Sequence, residues 1–166
     1  MSLDEFLEYI SQIESNKGKN IAHKTMRHGP HAGDAAFGKY GIMPNTAKEF
    51  YNRRKAEGLT TPDEDEIPNM NGKQLGLKFF VNPELEKTYA EAVGKRVLER
   101  GGSPEKAAYM YTMGHNLDPN KISDKNLNKS DYVNKFKRLH QIYLDKQPSL
   151  QQLQQPTIID PTTLNE

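Results

Sequence analysis

The stretch Ser2–Glu14, SLDEFLEYISQIE, has the clearest helical pattern in the chain. Its apolar residues recur at steps of three and four, which is the period of an α-helix: Leu3, Phe6, Leu7, Ile10 and Ile13. Glu14 follows the fourth of these by one helical turn, so it falls on the same apolar face. Gly18 predicts that the helix ends a few residues after Glu14.

Two features of this position favour the protonated form of the Glu14 side chain. Burial disfavours a charged carboxylate, and so does the negative end of the helix dipole. A carboxylic acid that keeps its proton near neutral pH is suited to general acid catalysis. The alternative is an ordinary residue at a helix end whose carboxylate reaches water.

Composition bounds the function classes. The 166 residues suit one domain with a tail, and 23 basic residues nearly balance 22 acidic ones. A nucleic-acid-binding domain usually has a strong basic excess, so that class is disfavoured. The absence of cysteine excludes disulfide and zinc-thiolate scaffolds. No signal peptide is visible, and no apolar run is long enough to predict a membrane span.

Helices dominate the rest of the pattern. Residues 15–44 are rich in glycine, lysine and histidine and predict a small β-hairpin or an irregular loop. Asn45 or Thr46 is expected to cap the next helix. A short buried helix is predicted over 73–81, and further helices from Pro83 to Gly101, from Pro104 to Gly114, and after Ser130. Residues 115–129 are expected to be looped, and the acidic run Asp63–Glu66 to be solvated.

The fold class predicted from this pattern is mainly α, with one domain over residues 1–146. Residues 147–166 contain three prolines and no sustained period. They predict a flexible C-terminal tail or linker outside that domain.

Four motifs, in order, resemble the soluble lytic transglycosylases with a lysozyme-like fold. Ile13-Glu14-Ser15 is similar to the family's Glu-Ser signature at a helix end. Residues 38–47, GKYGIMPNTA, are similar to its G-L-M-Q-I-M-P-x-T-A motif, and residues 107–109 to the start of its A-A-Y-N-A-G segment. Tyr132-Val133 resembles the Tyr-Val pair that opens its last helix. Together they span Leu3 to about Leu144.

Two departures from the family pattern remove polar groups that would contact substrate. Gly41 stands where the family usually has Gln, and Met110 where it usually has Asn. His115 or Asn116 is a candidate to replace those contacts. The inserted segment within residues 23–41 resembles phage virion-associated members. That resemblance implies an enzyme carried by the particle to the bacterial cell wall or periplasm, with other virion proteins as partners.

The resemblance implies cleavage of the β-1,4 bond between N-acetylmuramic acid and N-acetylglucosamine in peptidoglycan glycan strands. Glu14 would protonate the leaving oxygen and then accept the proton of the muramyl C6 hydroxyl, which gives a 1,6-anhydro product without a cofactor. Two alternatives remain. A hydrolytic muramidase on the same fold would need a second carboxylate, and Asp34 is the best candidate. A non-catalytic wall-binding virion module would need none.

The candidate substrate-binding residues are Ser15, Asp34, Tyr40, Met43, Tyr109 and Asn116. Each has a structural alternative. Ser15 can serve as a cap or turn hydroxyl, and Asp34 as a turn residue. The two tyrosines can pack in the core with exposed hydroxyls. Met43 is expected to pack in the core with its backbone near the cleft.

Three histidines in the glycine-rich segment raise the question of a metal. His23, His28 and His31 are spaced by five and three residues. This spacing matches no common zinc motif, and no cysteine assists. We therefore expect no metal site.

Overall fold

The computed structural model describes residues 1–19, 22–25 and 35–147. The helices of these residues are α1 (Leu3–Ser15), α2 (Pro44–Ala56), α3 (Gly72–Val81), α4 (Pro83–Gly101), α5 (Pro104–Met113), α6 (Asp124–Lys129) and α7 (Asp131–Lys146). Short 3-10 turns cover Pro62–Glu64, Ile67–Asn69 and Pro119–Lys121. The prediction of a mainly α class is confirmed.

Two short strands lie in the segment for which the sequence predicts a hairpin. Strand β1 (Ala22–Thr25) pairs antiparallel with β2 (Ala35–Phe37), with an irregular register between them. Strand β2 packs against α3. Most of the predicted tail, residues 148–166, lies outside the described residues, and Gln147 is the C-cap of α7.

Helix α4 is the centre of the packing and contacts α1, α2, α3 and α5. Its buried residues recur at helical spacing, and Tyr89, Ala90 and Val97 have no exposed surface. Helix α1 crosses α4 at Gly94, where an added Cβ would lie 2.9 Å from Leu3 Cδ1. The absence of a side chain at this glycine therefore allows the two helices to approach closely.

Helix α7 also packs against α1. The ring of Phe136 lies 5.5 Å from that of Phe6 and 5.6 Å from that of Tyr9, measured between ring centres. Phe6 also meets Tyr111 of α5 edge-on at 6.2 Å. Edge-to-face aromatic pairs at these distances are favourable beyond their buried area. They fix the part of α1 around Phe6 and Tyr9 between α5 and α7.

Three helix predictions need correction. Helix α2 begins at Pro44 with Met43 as N-cap, so neither Asn45 nor Thr46 caps it. Residues 115–129 contain the short helix α6, and its N-cap Ser123 accepts a hydrogen bond from the Asn126 amide through its side chain. These residues are too polar to show a helical pattern of apolar positions, so the sequence did not predict this helix. In α3 only one face is buried, which leaves Leu77 and Phe80 exposed.

The prediction of a solvated acidic run is wrong for Glu64. This side chain is 1% exposed and accepts hydrogen bonds from Arg54 Nε at 2.8 Å and Tyr89 Oη at 2.9 Å. The amide of Thr61 donates to its other oxygen at 2.7 Å. The carboxylate of Glu64 thus links α2 to α4. The sequence could not predict this, because charge composition does not reveal which of four successive acids points inward.

None of the helices in the described part of the chain combines the length and the apolar character needed to span a membrane.

Candidate functional site

Glu14 lies one residue before the C-terminal end of α1 and is half-buried. The hydroxyl of Tyr132 donates to Glu14 Oε1 at 2.9 Å. Tyr132 is in the first turn of α7, whose start is set by the Ser130 side chain accepting from the Val133 amide. The packing of α7 on α1 thus brings together two residues that are 118 positions apart.

Two half-buried tyrosines, Tyr132 and Tyr111, are close enough to this carboxylate to feel its charge. Burial raises the pKa of Tyr132 well above its usual value, and the negative charge of Glu14 raises it further. Burial likewise raises the pKa of Tyr111, with Glu14 and Glu86 adding to the effect. Both phenols therefore remain neutral hydrogen-bond donors over the whole physiological pH range.

Ser15, the neighbour of Glu14, is 2% exposed, and its hydroxyl bonds within the protein. Its Oγ lies 2.6 Å from the carbonyl oxygen of Lys39 and 3.1 Å from that of Ser11, and it accepts from the Gly18 amide at 2.8 Å. The predicted substrate contact of Ser15 stays a prediction. The geometry gives the Ser15 hydroxyl a positioning role between α1 and the segment that precedes α2.

That segment, residues 38–43, is held by further side chains. The Tyr40 amide donates to Glu86 Oε2 of α4 at 3.2 Å, and the Tyr111 hydroxyl of α5 donates to the Tyr40 carbonyl at 2.8 Å. With Ser15, these contacts attach the segment to three helices. Its backbone is therefore fixed beside the end of α1 that carries Glu14.

Gly38 begins this segment with a φ of +99°, and an added Cβ would lie 2.3 Å from Glu86 Oε2. We expect Gly38→Ala to lower the free energy of unfolding by more than the ~1–3 kcal/mol typical of a left-handed non-glycine residue. Gly58→Ala is the matched control, because Gly58 has φ +72° and open space around it. Equal losses for both variants in chemical denaturation would contradict the predicted collision.

Two of the other predicted site residues, Tyr40 and Met43, belong to the segment 38–43 beside Glu14. Tyr40 is 7% exposed, and half-buried Met43 caps α2 through its carbonyl. Tyr109 packs half-buried against the core. Positions two residues apart on a helix are rotated by about 200° around its axis, so Tyr109 and Tyr111 face different sides of α5. Asp34 lies outside the described residues.

Asn116 belongs to a second polar cluster, which joins α2 to the end of α5. Its amide donates to Glu49 Oε1 at 3.1 Å, and its carbonyl accepts from Arg96 at 2.7 Å. The buried ring of His115 bonds Glu49 Oε2 through Nε2 at 2.7 Å. A groove of about 370 Å³ runs beside the cluster, lined in part by Asn45 and Thr46 of α2.

The protonation of His115 follows from its partners. Arg96 Nε can only donate, and it lies 3.0 Å from His115 Nδ1. The proton of the neutral ring is therefore on Nε2, where it is donated to Glu49. Burial lowers the pKa of His115 despite the attraction of Glu49, and Arg96 and Arg53 lower it further. The ring is thus neutral at physiological pH, and Asn116 beside it is fixed in place.

Within the described residues, no group of three or more His, Asp or Glu side chains is arranged to hold a metal ion. Of the three histidines considered from the sequence, His23 is described only as part of β1. His28 and His31 lie outside the described ranges.

Three residues of the Glu14 site were not predicted as functional. Tyr132 was noted only as part of a motif, although a tyrosine in the first turn of an amphipathic helix is a candidate for pointing inward. Tyr111 has a weaker signal, two positions after the tyrosine of the A-A-Y motif. Glu86 has none, because acidic residues are ordinary in the first turn of a helix.

Comparison of the chain with protein-family models, with curated proteins and with solved structures finds no match.

Proposed function

We propose that the protein is a peptidoglycan lytic transglycosylase with a lysozyme-like helical domain. The observation that carries the proposal is the half-buried Glu14 carboxylate at the end of α1, with the Tyr132 hydroxyl bonded to one of its oxygens. The ordered motifs that resemble the soluble lytic transglycosylases support the same reading. The G-K-Y-G-I-M-P segment adds support, because Ser15 anchors it beside Glu14.

In this proposal, Glu14 delivers its proton to the oxygen that leaves N-acetylmuramic acid. Positive charge builds on the muramyl ring as the bond breaks. The ionised Glu14 then accepts the proton of the muramyl C6 hydroxyl, whose oxygen attacks the anomeric carbon. The hydrogen bond from Tyr132 strengthens when Glu14 becomes a carboxylate, because a charged acceptor binds a donor more strongly than a neutral one.

The second carboxylate near Tyr111 belongs to Glu86, and its surroundings favour an attack by a hydroxyl of the substrate over an attack by water. Glu86 is 5% exposed and accepts the Tyr40 amide, so it is poorly placed to hold an attacking water on a glycan strand. A hydrolytic mechanism would assign that role to Asp34. As part of the proposal, a phage particle with its other virion proteins delivers the enzyme to the cell wall.

Mass spectrometry of the products tests the proposal. Purified peptidoglycan digested by the parent protein should yield muropeptides that end in 1,6-anhydro-N-acetylmuramic acid, each one water lighter than the hydrolytic product. Reducing-end muropeptides as the main product would assign the hydrolytic muramidase instead. Binding to peptidoglycan without any cleavage would assign a wall-binding module.

The Tyr132→Phe variant should cleave peptidoglycan about 10- to 100-fold more slowly. The hydroxyl that it loses donates to a carboxylate that becomes charged in the reaction, and such a bond contributes about 1.5–3 kcal/mol. Initial rates of dye release from labelled peptidoglycan measure the effect. Tyr143→Phe removes a hydroxyl near the other end of α7 and is the control. Equal rates for the two variants would remove Tyr132 from the site.

A further inference from the structure

We propose that Glu86 is a positioning residue for the Glu14 site. Its carboxylate on α4 holds the Lys39–Tyr40 peptide against Ser15, and thereby fixes the wall of the site next to the acid. The inference deepens the proposed function and rests on it for its kinetic test, while its structural test does not.

The two contacts hold opposite edges of one peptide unit. The carbonyl of Lys39 accepts from Ser15 Oγ at 2.6 Å, and the amide of Tyr40 donates to Glu86 Oε2 at 3.2 Å. A peptide unit is planar and rigid, so it cannot rotate without breaking one of the two bonds. Because Ser15 follows Glu14 directly, the peptide forms a rigid connection from the acid-bearing end of α1 to the first turn of α4.

Glu86 acts as a hydrogen-bond acceptor for the Tyr40 amide, and filling space is not its main role. The residue is 5% exposed, and a buried carboxylate costs free energy unless its oxygens are bonded. An apolar side chain would fill the space without that cost but would leave the Tyr40 amide without this acceptor. Gly38 lies so close to Glu86 Oε2 that any side chain there would collide with it, so the carboxylate lies directly against the backbone.

A third contact restrains the next peptide unit. The Tyr111 hydroxyl donates to the Tyr40 carbonyl at 2.8 Å, which prevents the segment from moving away from α5. Burial first, and then the charges of Glu14 and Glu86, raise the pKa of Tyr111. The two carboxylates therefore act on one phenol, which agrees with their placement around a single site.

The expected consequence is a rate effect with little loss of binding. A displacement of about 1 Å in groups that position a substrate can lower a rate by about 100-fold. We compare Glu86→Leu, which removes the acceptor, with Glu86→Gln, which keeps a carbonyl oxygen. Glu84→Leu is the matched control, because Glu84 is an exposed acid in the same helical turn. Ser15→Ala removes the contact at the other edge of the peptide.

The first readout is hydrogen exchange of residues 38–43, followed by mass spectrometry. Glu86→Leu and Ser15→Ala should each accelerate exchange of this segment by about tenfold or more, while α2 and α5 keep their protection. Glu86→Gln and Glu84→Leu should match the parent. Unchanged exchange in Ser15→Ala and Glu86→Leu would overturn the proposal. If Glu86→Leu does not fold, Glu86→Ala, which also removes the acceptor of the Tyr40 amide, takes its place under the same criterion.

The second readout is cleavage of soluble, uncross-linked peptidoglycan strands. Glu86→Leu should lower kcat by about 10- to 100-fold with KM changed less than about threefold, and Glu86→Gln should restore most of the rate. A Gln variant as slow as the Leu variant would overturn positioning in favour of the negative charge. If the parent cleaves no peptidoglycan, the proposed function fails, and the exchange experiment still decides whether Glu86 holds the peptide.

Discussion

Glu14→Gln should lower the rate of peptidoglycan cleavage by about 10²- to 10⁴-fold, which is the usual contribution of a general acid or base. The amide has nearly the same shape as the acid, so the contact with Tyr132 and the packing of α1 should persist. It has no proton that can be transferred to the leaving oxygen. In the proposed mechanism it also cannot take the proton of the attacking hydroxyl, so both steps fail together.

Initial rates of cleavage, measured together with melting temperatures, test this expectation. Glu8→Gln is the control, because Glu8 is an exposed acid on the same helix whose contacts with Lys17 and Gln12 lie at the surface. It should cleave within about twofold of the parent, as surface ion pairs contribute little. A Glu14→Gln protein that is folded and as fast as Glu8→Gln would exclude Glu14 as the acid.

Glu64→Leu should lower the free energy of unfolding by about 3–5 kcal/mol, the usual result of removing one partner of a buried ion pair. Arg54 and the hydroxyl of the fully buried Tyr89 would lose the carboxylate that bonds them, and so would the Thr61 amide. Chemical denaturation measures the loss. Glu66→Leu makes the same change at an exposed neighbour and should cost less than about 0.5 kcal/mol.

The stabilisation by Glu64 should also depend on pH. Burial alone would raise the pKa of this carboxyl, but the bonds from Arg54, Thr61 and Tyr89 outweigh it and lower the pKa from 4.5 to about 2. A lowered pKa in the folded state stabilises the fold above the unfolded pKa, and this stabilisation is lost as pH falls. The advantage of the parent over Glu64→Leu should thus be full above about pH 5 and shrink between pH 4.5 and 2.

Thermal melts of both proteins from pH 7 to pH 2.5 measure this dependence. A difference in melting temperature that stays constant over the whole range would show that the ionised carboxylate of Glu64 is not the source of the stability.

The sequence predicts the helices with strong local signals and misses contacts that depend on distant residues. Asn82-Pro83 and Ser103-Pro104 mark the starts of α4 and α5 correctly, because capping and proline chemistry act within one turn. The burial of Glu64 could not be predicted, because its partners Arg54 and Tyr89 are 10 and 25 residues away.

In the candidate site, too, features that depend on neighbouring residues could be predicted, and contacts between distant residues could not. The placement of Glu14 at the end of α1 is a local property and could be predicted. The contact with Tyr132 spans 118 residues and that between Tyr40 and Glu86 spans 46, so both depend on how the helices pack. The partner of Ser15, Lys39, could not be predicted, because a turn hydroxyl carries no sequence signal of an acceptor 24 residues away.

The contact of Ser15 with Lys39 closes the chain between them into a loop whose ends are fixed by α1 and by the segment before α2. The entropy of closing a flexible loop grows only with the logarithm of its length, and doubling the length costs about 0.6 kcal/mol. A longer chain between these two ends would therefore cost little in stability, provided that β1 and β2 keep their pairing, and the contact of Ser15 with Lys39 would still fix the backbone beside Glu14.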